Sequence, residues 1–265
     1  HHCAPDRSAT YVFLGGHRRR WELRLKPDDN LVEITNPKHV WRMLSKWIGP
    51  DDAILERAIV YTFHSSVAKQ WHRDRLIIAG DAAHQTPPFM GQGMCAGIRD
   101  VFNLGWKLNS ILKGRVNEDL LRTYQSEREP HVRAFINLTV EMGRLINTTA
   151  SSLVSGTFSN SIGEPQRLTQ LRPTLGPGLS SCNTEWAGHL FPQPKLNSGE
   201  LLDDLIGGHW AILFRHEFSR KIPADIIKKL DGLDLVMVND TSSRLQNWFS
   251  DKDVNAVLIR PDRYI

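Results

Sequence analysis

The chain has 265 residues, 40% of them hydrophobic and 23% charged, and its 33 basic and 29 acidic residues leave a formal net charge of +4. That length and apolar content suffice for one large core or two modest ones, so two folded units are expected. The small basic excess is scattered, which argues against a nucleic-acid partner. No segment has the apolar length of a membrane span, and Cys3, Cys95 and Cys182 form no CxxC or metal-ligand spacing, as in a reduced, cytoplasmic protein.

The opening His1-His2-Cys3-Ala4-Pro5 is neither a signal peptide nor an initiating methionine; it reads as a tag remnant or a cut point in a longer chain rather than a metal site. From Tyr11 to Leu25, Tyr11-Val12-Phe13-Leu14, Gly15-Gly16 and Trp21-Glu22-Leu23-Arg24-Leu25 predict a hairpin. The basic run His17-Arg18-Arg19-Arg20 beside Trp21 could grip phosphates, but a solvated hairpin edge is the preferred reading. Val40, Met43, Leu44, Trp47 and Ile48 share one face of a short helix that should stop at Gly49-Pro50. A strand is expected over about Ala58 to Ala68, with Ile59, Tyr61, Phe63 and Ser65 alternating with Val60, Thr62 and His64.

Leu76-Ile77-Ile78-Ala79 reads as a strand buried on both faces, ending in Gly80-Asp81. After a loop with Pro87, Pro88, Gly91 and Gly93, the residues Ile98, Val101, Phe102, Gly105, Leu108 and Leu112 fall on one helical face, with Gly114 as the stop. A second helix should open at Asn117, with Glu118 and Asp119 in its first turn. Pro130 should break or kink it, and helical spacing resumes through Val132, Phe135, Thr139, Met142 and Ile146. The Ser-, Thr-, Gly- and Pro-rich stretch over 148–185 reads as a linker. Beyond it, strands at His209–Arg215, Leu233–Val238 and Asn255–Ile259 alternate with helices at Ala224–Leu230 and Ser243–Phe249, a small sheet with helices on its faces.

The segment from Gly80 to Asp100, Gly80-Asp81-Ala82-Ala83-His84-Gln85-Thr86-Pro87-Pro88-Phe89-Met90-Gly91-Gln92-Gly93-Met94-Cys95-Ala96-Gly97-Ile98-Arg99-Asp100, carries the chemistry. An Asp at the end of a strand lies where open α/β sheets bind ligands, and its carboxylate can accept hydrogen bonds from a polyol or ribose. Ala82-Ala83 lets a flat ligand approach the backbone, Pro87-Pro88 stiffens the loop, and Gly91 and Gly93 permit unusual dihedrals before a helix. The helix N-terminus so formed favours an anion, such as the N1–C2=O edge of a reduced flavin.

With its continuation Asp100-Val101-Phe102-Asn103-Leu104-Gly105-Trp106-Lys107-Leu108, the segment resembles the second flavin-binding motif of the class A flavoprotein monooxygenases, the p-hydroxybenzoate hydroxylase family. Tyr124-Gln125-Ser126-Glu127-Arg128-Glu129-Pro130 is similar to the family's next helix, and Tyr61-Thr62-Phe63-His64 with Trp71-His72-Arg73 most resembles 3-(3-hydroxyphenyl)propionate and phenol hydroxylases. The resemblance implies an α/β (α+β mixed) fold: part of an FAD/NAD(P)-binding-type monooxygenase domain with a β-sheet substrate region, followed by a thioredoxin-like domain. The implied division is substrate region 1–75, flavin segment 76–147, linker 148–185 and thioredoxin-like part 186–265.

It also implies roles. Asp81 would bond the ribityl chain of FAD, and Pro88 would present its carbonyl at the reactive C4a edge, the one catalytic contact. Gly91 and Gln92 would also belong to the cofactor-binding loop as FAD-binding residues, and Gly93, Met94 and Cys95 would offer backbone N–H groups to the pyrimidine ring. Cys95 stands where the family often has Asn, so only the backbone contact carries over. His84 is read as a structural partner of the loop rather than an acid or base. Tyr61, Phe63 and Ser65 are candidate substrate residues. The implied reaction uses FAD, NADH or NADPH and O2 to hydroxylate a phenol through a flavin C4a-hydroperoxide, without nucleic acid or membrane and with a homodimer possible. A strand-GxGxxG-helix unit, which holds the pyrophosphate in this family, is absent from the sequence. The alternative is therefore a truncated, non-catalytic remnant or interaction module unable to hold FAD alone; a serine hydrolase using His84 ranks last because there is no GxSxG elbow.

Overall fold

The computed structural model describes residues 2, 4, 6–155, 172–179, 185–231 and 234–265, with side chains only up to 144 in the helix that ends at 155. Cys3, Cys182 and much of the linker expected over 148–185 lie outside the described residues. The chain divides into two compact units, His1–His64 with Leu138–Leu168, and Ser65–Asn137 with Thr169–Ile265.

In the first unit, strands β1 (Ala9–Phe13) and β2 (Arg19–Leu23) pair antiparallel in the expected hairpin. Gly15 and Gly16 turn the chain with φ of 91° and 50°, which a side chain would strain. Tyr11 lies directly opposite Trp21, ring centroids 5.1 Å apart, so one face of the hairpin is an aromatic pair. The basic run is a solvated edge: Arg18 reaches Glu56, Arg20 reaches Glu22, and Arg19 lies over the Phe13 ring. Helix α1 (Pro37–Leu44) starts where the Asn36 side chain accepts the Lys38 N–H, with proline in the first turn, where its missing donor costs nothing. It ends at Leu44 rather than at Gly49; the Trp47 and Ile48 N–H groups turn back onto the Leu44 carbonyl.

The strand expected over Ala58–Ala68 is not formed as such: only Ser66–Val67, β3, is paired, and it belongs to the second unit. The alternation at Ile59, Tyr61 and Phe63 is present in the sequence, but no described strand lies beside it, and all three side chains are exposed. A period-two pattern specifies a strand only when a neighbour accepts its ladder.

In the second unit, β4 (His72–Arg73) and β5 (Leu76–Ile77) form a tight hairpin around Asp74, and β3 pairs with β6 (His84–Gln85). Leu76-Ile77-Ile78-Ala79 is therefore not a strand buried on both faces; two residues pair, and Leu76 is 77% exposed. Helix α2 (Gly93–Leu112) ends at Gly114, φ 66°, whose N–H bonds the Ile111 carbonyl while Arg115 N–H bonds that of Ser110. Asn117 caps the turn Glu118–Leu121 by accepting Asp119 N–H at 2.9 Å, and the turn leads into α3 (Arg122–Ser155). Pro130 does not break α3. The lost bond costs about 3 kcal/mol in a helix interior, and the surrounding turns are held by buried Glu127, Arg128, His131 and Val132. The helix runs on to Ser155, so the first residues of the expected linker are helical.

The C-terminal part has the predicted strand-helix-strand-helix-strand order with two short helices, α4 and α5, that the sequence did not predict: α4 (Leu202–Ile206), β7 (Trp210–Phe214), α5 (His216–Ser219), α6 (Ala224–Asp231), β8 (Leu235–Val238), α7 (Ser243–Lys252) and β9 (Ala256–Ile259). The strand order is β8-β7-β9, with β7 parallel to β8 and antiparallel to β9. Ala211, Leu213, Val238, Val257 and Ile259 point from one face into a core closed by Leu202 and Ile206 of α4 and Leu245 and Phe249 of α7. Each fully buried large aliphatic or aromatic side chain contributes roughly 1.5–3 kcal/mol. Only one face is sealed in this way, and α6 contains no buried residue.

A charged hub joins this part to α2 and α3. Glu127 accepts Arg260 in a two-pronged pair at 2.9 and 2.7 Å, Lys107 Nζ and Asn103 Nδ2 each at 2.8 Å, and the Leu179 N–H at 3.1 Å. Asp262 completes it by accepting from Arg260 and Asn103. Gly178 fits beside Glu127 only because it lacks a side chain; a Cβ there would meet Oε1 at 2.2 Å. Burial opposes ionisation of Glu127, but the bonds and charge of Arg260 and Lys107 outweigh it and hold the carboxyl at about 2, below its ordinary 4.5. Burial in turn pulls the Lys107 ammonium down to about 8 against the pull of Glu127.

Because the folded-state pKa of Glu127 is depressed, its contribution is present above the ordinary carboxylate range and is lost as pH falls toward the folded value of about 2. In urea titrations the unfolding free energy should drop across that interval. Glu127→Gln should start about 3–5 kcal/mol less stable and show a shallower drop; identical pH slopes for the two chains would remove Glu127 from this role.

Candidate functional site

The loop between β5 and α2 rests on one buried carboxylate. Asp100, on the inner face of α2, accepts His84 Nε2–H at 2.6 Å and the Gly80 N–H at 3.1 Å through Oδ2, and Arg128 Nε–H at 2.9 Å through Oδ1. All three side chains are fully buried. Burial opposes charge on Asp100, yet the His84 bond and the Arg128 charge keep its pKa below the usual value. The ionised carboxylate accepts, so the imidazole donates through Nε2. His84 is thereby committed to structure, with the Trp71 ring 5.4 Å away.

This bond network draws the loop start against the helix. Gly80 has φ 58°, and a Cβ added at Gly97 would lie 3.3 Å from the Gly80 Cα, so two glycines permit the crossing. Trp71, 1% exposed, lies under the loop, with its backbone N–H on Gln125 Oε1 and its ring against Tyr124. The Tyr124 hydroxyl donates to the Ile78 carbonyl, which fixes the chain two residues before Gly80.

Held in this way, the loop turns its candidate groups outward. Asp81 sits in a 3-10 turn over Gly80–Ala82, is exposed, and pairs with no described residue. Pro88 opens a second 3-10 turn, Pro88–Met90, closed by Gly91 at φ 61°. The Gly91 N–H takes one lone pair of the Pro88 carbonyl at 3.0 Å, so that carbonyl has one acceptor position left rather than two. Gln92 is the residue before α2, and no side chain caps the helix there. By helix geometry the N–H groups of Gly93, Met94 and Cys95 have no partners within the helix. Gly91 and Gly93 have open space where a side chain would stand, Met94 is largely exposed, and Cys95 is a half-buried free thiol. An open carboxylate, two bare glycines and an uncapped helix start suit a ligand with hydroxyls at one end and a flat, anion-forming edge at the other, and the chain's residues fit the flavin part of FAD.

Tyr61 and Phe63 belong to the first unit and Ser65 to the second; the two rings lie 5.9 Å apart and all three residues are exposed. Burial, then the neighbouring Glu22, raises the Tyr61 pKa. The first unit also holds a cavity of about 300 Å³ lined by His2, Ala9, Tyr11, Trp21 and Trp47, none of them a sequence-predicted site residue. Sequence reading missed the roles of Asp100, Arg128, Trp71 and Gln125. The signal available was polar residues recurring on one side of two helical patterns.

Residues 16–139 match the FAD binding domain family and residues 223–265 the HcaD C-terminal domain family. The fold is shared with solved structures titled as a ternary complex of aklavinone-11 hydroxylase with FAD and aklavinone (TM-score 0.69, 20% identity, 98% of this chain and 53% of that one) and the flavin-dependent monooxygenase PieE in complex with FAD and substrate (TM-score 0.67, 20% identity, 98% and 56%). The first of these matches spans a little under half of the chain. Its relatives are named as aromatic hydroxylases: the probable NADH-specific resorcinol 4-hydroxylase of Rhodococcus jostii, 34% identical over 99% of this chain and 53% of that protein, and the 3-(3-hydroxy-phenyl)propionate/3-hydroxycinnamic acid hydroxylase of Mycobacterium avium, 31% identical over 98% and 52%. The chain spans about half the length of these relatives. Among the described residues, no helix is long and apolar enough to cross a membrane.

Replacing Asp100 with Ala leaves the Arg128 guanidinium buried without its carboxylate. The substitution should cost about 3–5 kcal/mol in chemical denaturation, whereas Asp81→Ala, at an exposed and unpaired position, should change stability by less than about 0.5 kcal/mol. Equal costs would place the loop's support elsewhere.

Proposed function

We propose that this chain forms the flavin-embracing part of an FAD-dependent, NAD(P)H-using monooxygenase that hydroxylates a phenolic aromatic ring, of the 3-(3-hydroxyphenyl)propionate or resorcinol kind. The observation that carries the reading is the loop itself: an unpaired Asp81 and the uncapped start of α2 on the outside of a turn whose inner side is fixed by buried Asp100. In this reading Asp81 accepts hydroxyls of the ribityl chain, and the Gly93, Met94 and Cys95 N–H groups, with the helix dipole behind them, hold negative charge on the pyrimidine edge. The free lone pair of the Pro88 carbonyl faces the reactive edge, with Gly91 and Gln92 shaping the approach.

FAD supplies the oxygen chemistry when bound, with NADH or NADPH as reductant and O2 as co-substrate. The protein contributes a stabilised charge, a fixed ring orientation and a site from which water is excluded. Tyr61, Phe63 and Ser65 are the residues assigned to the phenol, and the C-terminal part, read as thioredoxin-like without a CxxC, serves packing or dimer contact rather than disulfide exchange. The relatives' names support the substrate class, and the FAD-containing structures of the same fold support the cofactor.

The test is FAD retention by a protein that contains this chain together with the relatives' remaining half. Asp81→Ala should weaken FAD binding at least about tenfold, equivalent to about 1.4 kcal/mol, in a fluorescence titration. His84→Ala, which alters the support and not the contact surface, should weaken it far less at a temperature where both variants are folded. Equal retention by the two variants would defeat the assignment of Asp81.

A further inference from the structure

The cavity of the first unit is walled almost wholly by rings. Tyr11 and Trp21 stand opposite each other across the β1–β2 hairpin, their planes at 65° and their centroids 5.1 Å apart. His2 and Trp47 form a second edge-on pair, at 88° and 5.4 Å. Both pairs line the same space of about 300 Å³. Ala9, buried two residues before Tyr11 and so on the same face of β1, supplies its one small wall. Tyr11 and Trp47 stay partly exposed, so the space opens to solvent.

Small-molecule sites span roughly 300–1,000 Å³, and a space at the lower end of that range suits a guest of one or two fused rings. Aromatic walls favour a flat guest, which meets them in offset or edge-on contact. Organic cations also bind among rings, but here that role is taken: Lys46 Nζ lies 4.4 Å from the centroid of the Trp47 ring and 3.5 Å from His2 Nε2. The ammonium repels a second cation and attracts an acid. It acts on one already, for the Arg7 backbone bond and then the Lys46 charge hold the exposed Asp6 carboxyl below its ordinary range.

We infer that this cavity is a binding site for a flat aromatic carboxylate of one or two rings, with its ring against Trp21 and Trp47 and its acid group on the Lys46 ammonium. No lining residue belongs to the candidate flavin loop or is one of Tyr61, Phe63 and Ser65, so this is a second ligand site and stands apart from the flavin reading. Within β2 the two sites use opposite faces. Trp21 faces the cavity, whereas its neighbours Arg20 and Glu22 point the other way, where the Tyr61 hydroxyl donates to Glu22.

The experiment titrates the full chain with 2-naphthoate and with its neutral counterpart 2-naphthamide by isothermal calorimetry, with thermal melting to check the fold of each variant. Naphthoate should bind saturably at one site and naphthamide at least about threefold more weakly. Lys46→Glu, at an exposed position, should weaken naphthoate at least about tenfold and leave naphthamide unchanged. Trp47→Ala removes a wall and should abolish binding of both, whereas Tyr61→Ala should leave both as they are. No saturable binding of naphthoate, equal affinity for acid and amide, or full affinity for naphthoate in Lys46→Glu or in Trp47→Ala would each overturn the inference. Loss of binding in a folded Tyr61→Ala variant would overturn it too, by giving the guest to the opposite face of the strand.

Discussion

The arrangement depends on α2 being held by charge rather than by apolar burial. Asp100 ties its first half to Arg128, His84 and the Gly80 N–H, and Lys107 and Asn103 tie its second half to Glu127. Apolar packing tolerates sliding and small rotations, because many contact sets have similar energy. Charge-assisted bonds with fixed directions do not, so the helix has one rotation and one depth. The loop before it inherits that precision, since the same carboxylate that fixes α2 also fixes Gly80.

Such an anchor is not the cheapest source of stability. Removing several ionised groups from water costs energy that their mutual attraction repays only when every bond is made, and apolar replacements of similar shape often do as well. What the charged hub adds is long-range specification. Glu127 and Arg260 are 133 residues apart in sequence and meet in a two-pronged pair. The C-terminal segment is thus locked to the helices that carry the candidate cofactor loop, and a fault at Arg260 is felt at α2 through Glu127 and Lys107. The Tyr264 hydroxyl on His131 reinforces the same junction, and burial, then the nearby Arg128 and Arg99, keep that imidazole neutral with a pKa of about 3.

Local chemistry was legible wherever the signal was local. The hairpin turn at Gly15-Gly16, the stop at Gly114, the cap at Asn117 and the order of the C-terminal elements follow from capping and periodicity, because those rules act within a few residues. The failures arose where a pattern needs a partner. Ile59, Tyr61 and Phe63 alternate as a strand does but no described strand pairs with them, and Leu76 to Ala79 has the apolar run of a buried strand yet pairs along two residues only. Pro130 misled for the opposite reason, since tertiary bonds on both sides of it hold the helix together. The loop's outward groups could be read from its motif, but its support could not: nothing in the spacing of Asp100 and Arg128 says that they meet.

The apolar side of α2 turns that lesson around. Read as a sequence, Ile98, Val101, Phe102 and Leu112 define the face that a globular protein hides, and the fold hides the other one. An amphipathic helix that sends its polar side inward and its apolar side outward forgoes the burial of that stripe. The rotation is nevertheless imposed, because turning α2 to bury the stripe would leave the buried Arg128 guanidinium without its carboxylate and strip Glu127 of the Lys107 cation. Polar fixation within the chain and the exposure of an apolar stripe are therefore two consequences of one helix orientation, and the candidate flavin loop sits at the end where both begin.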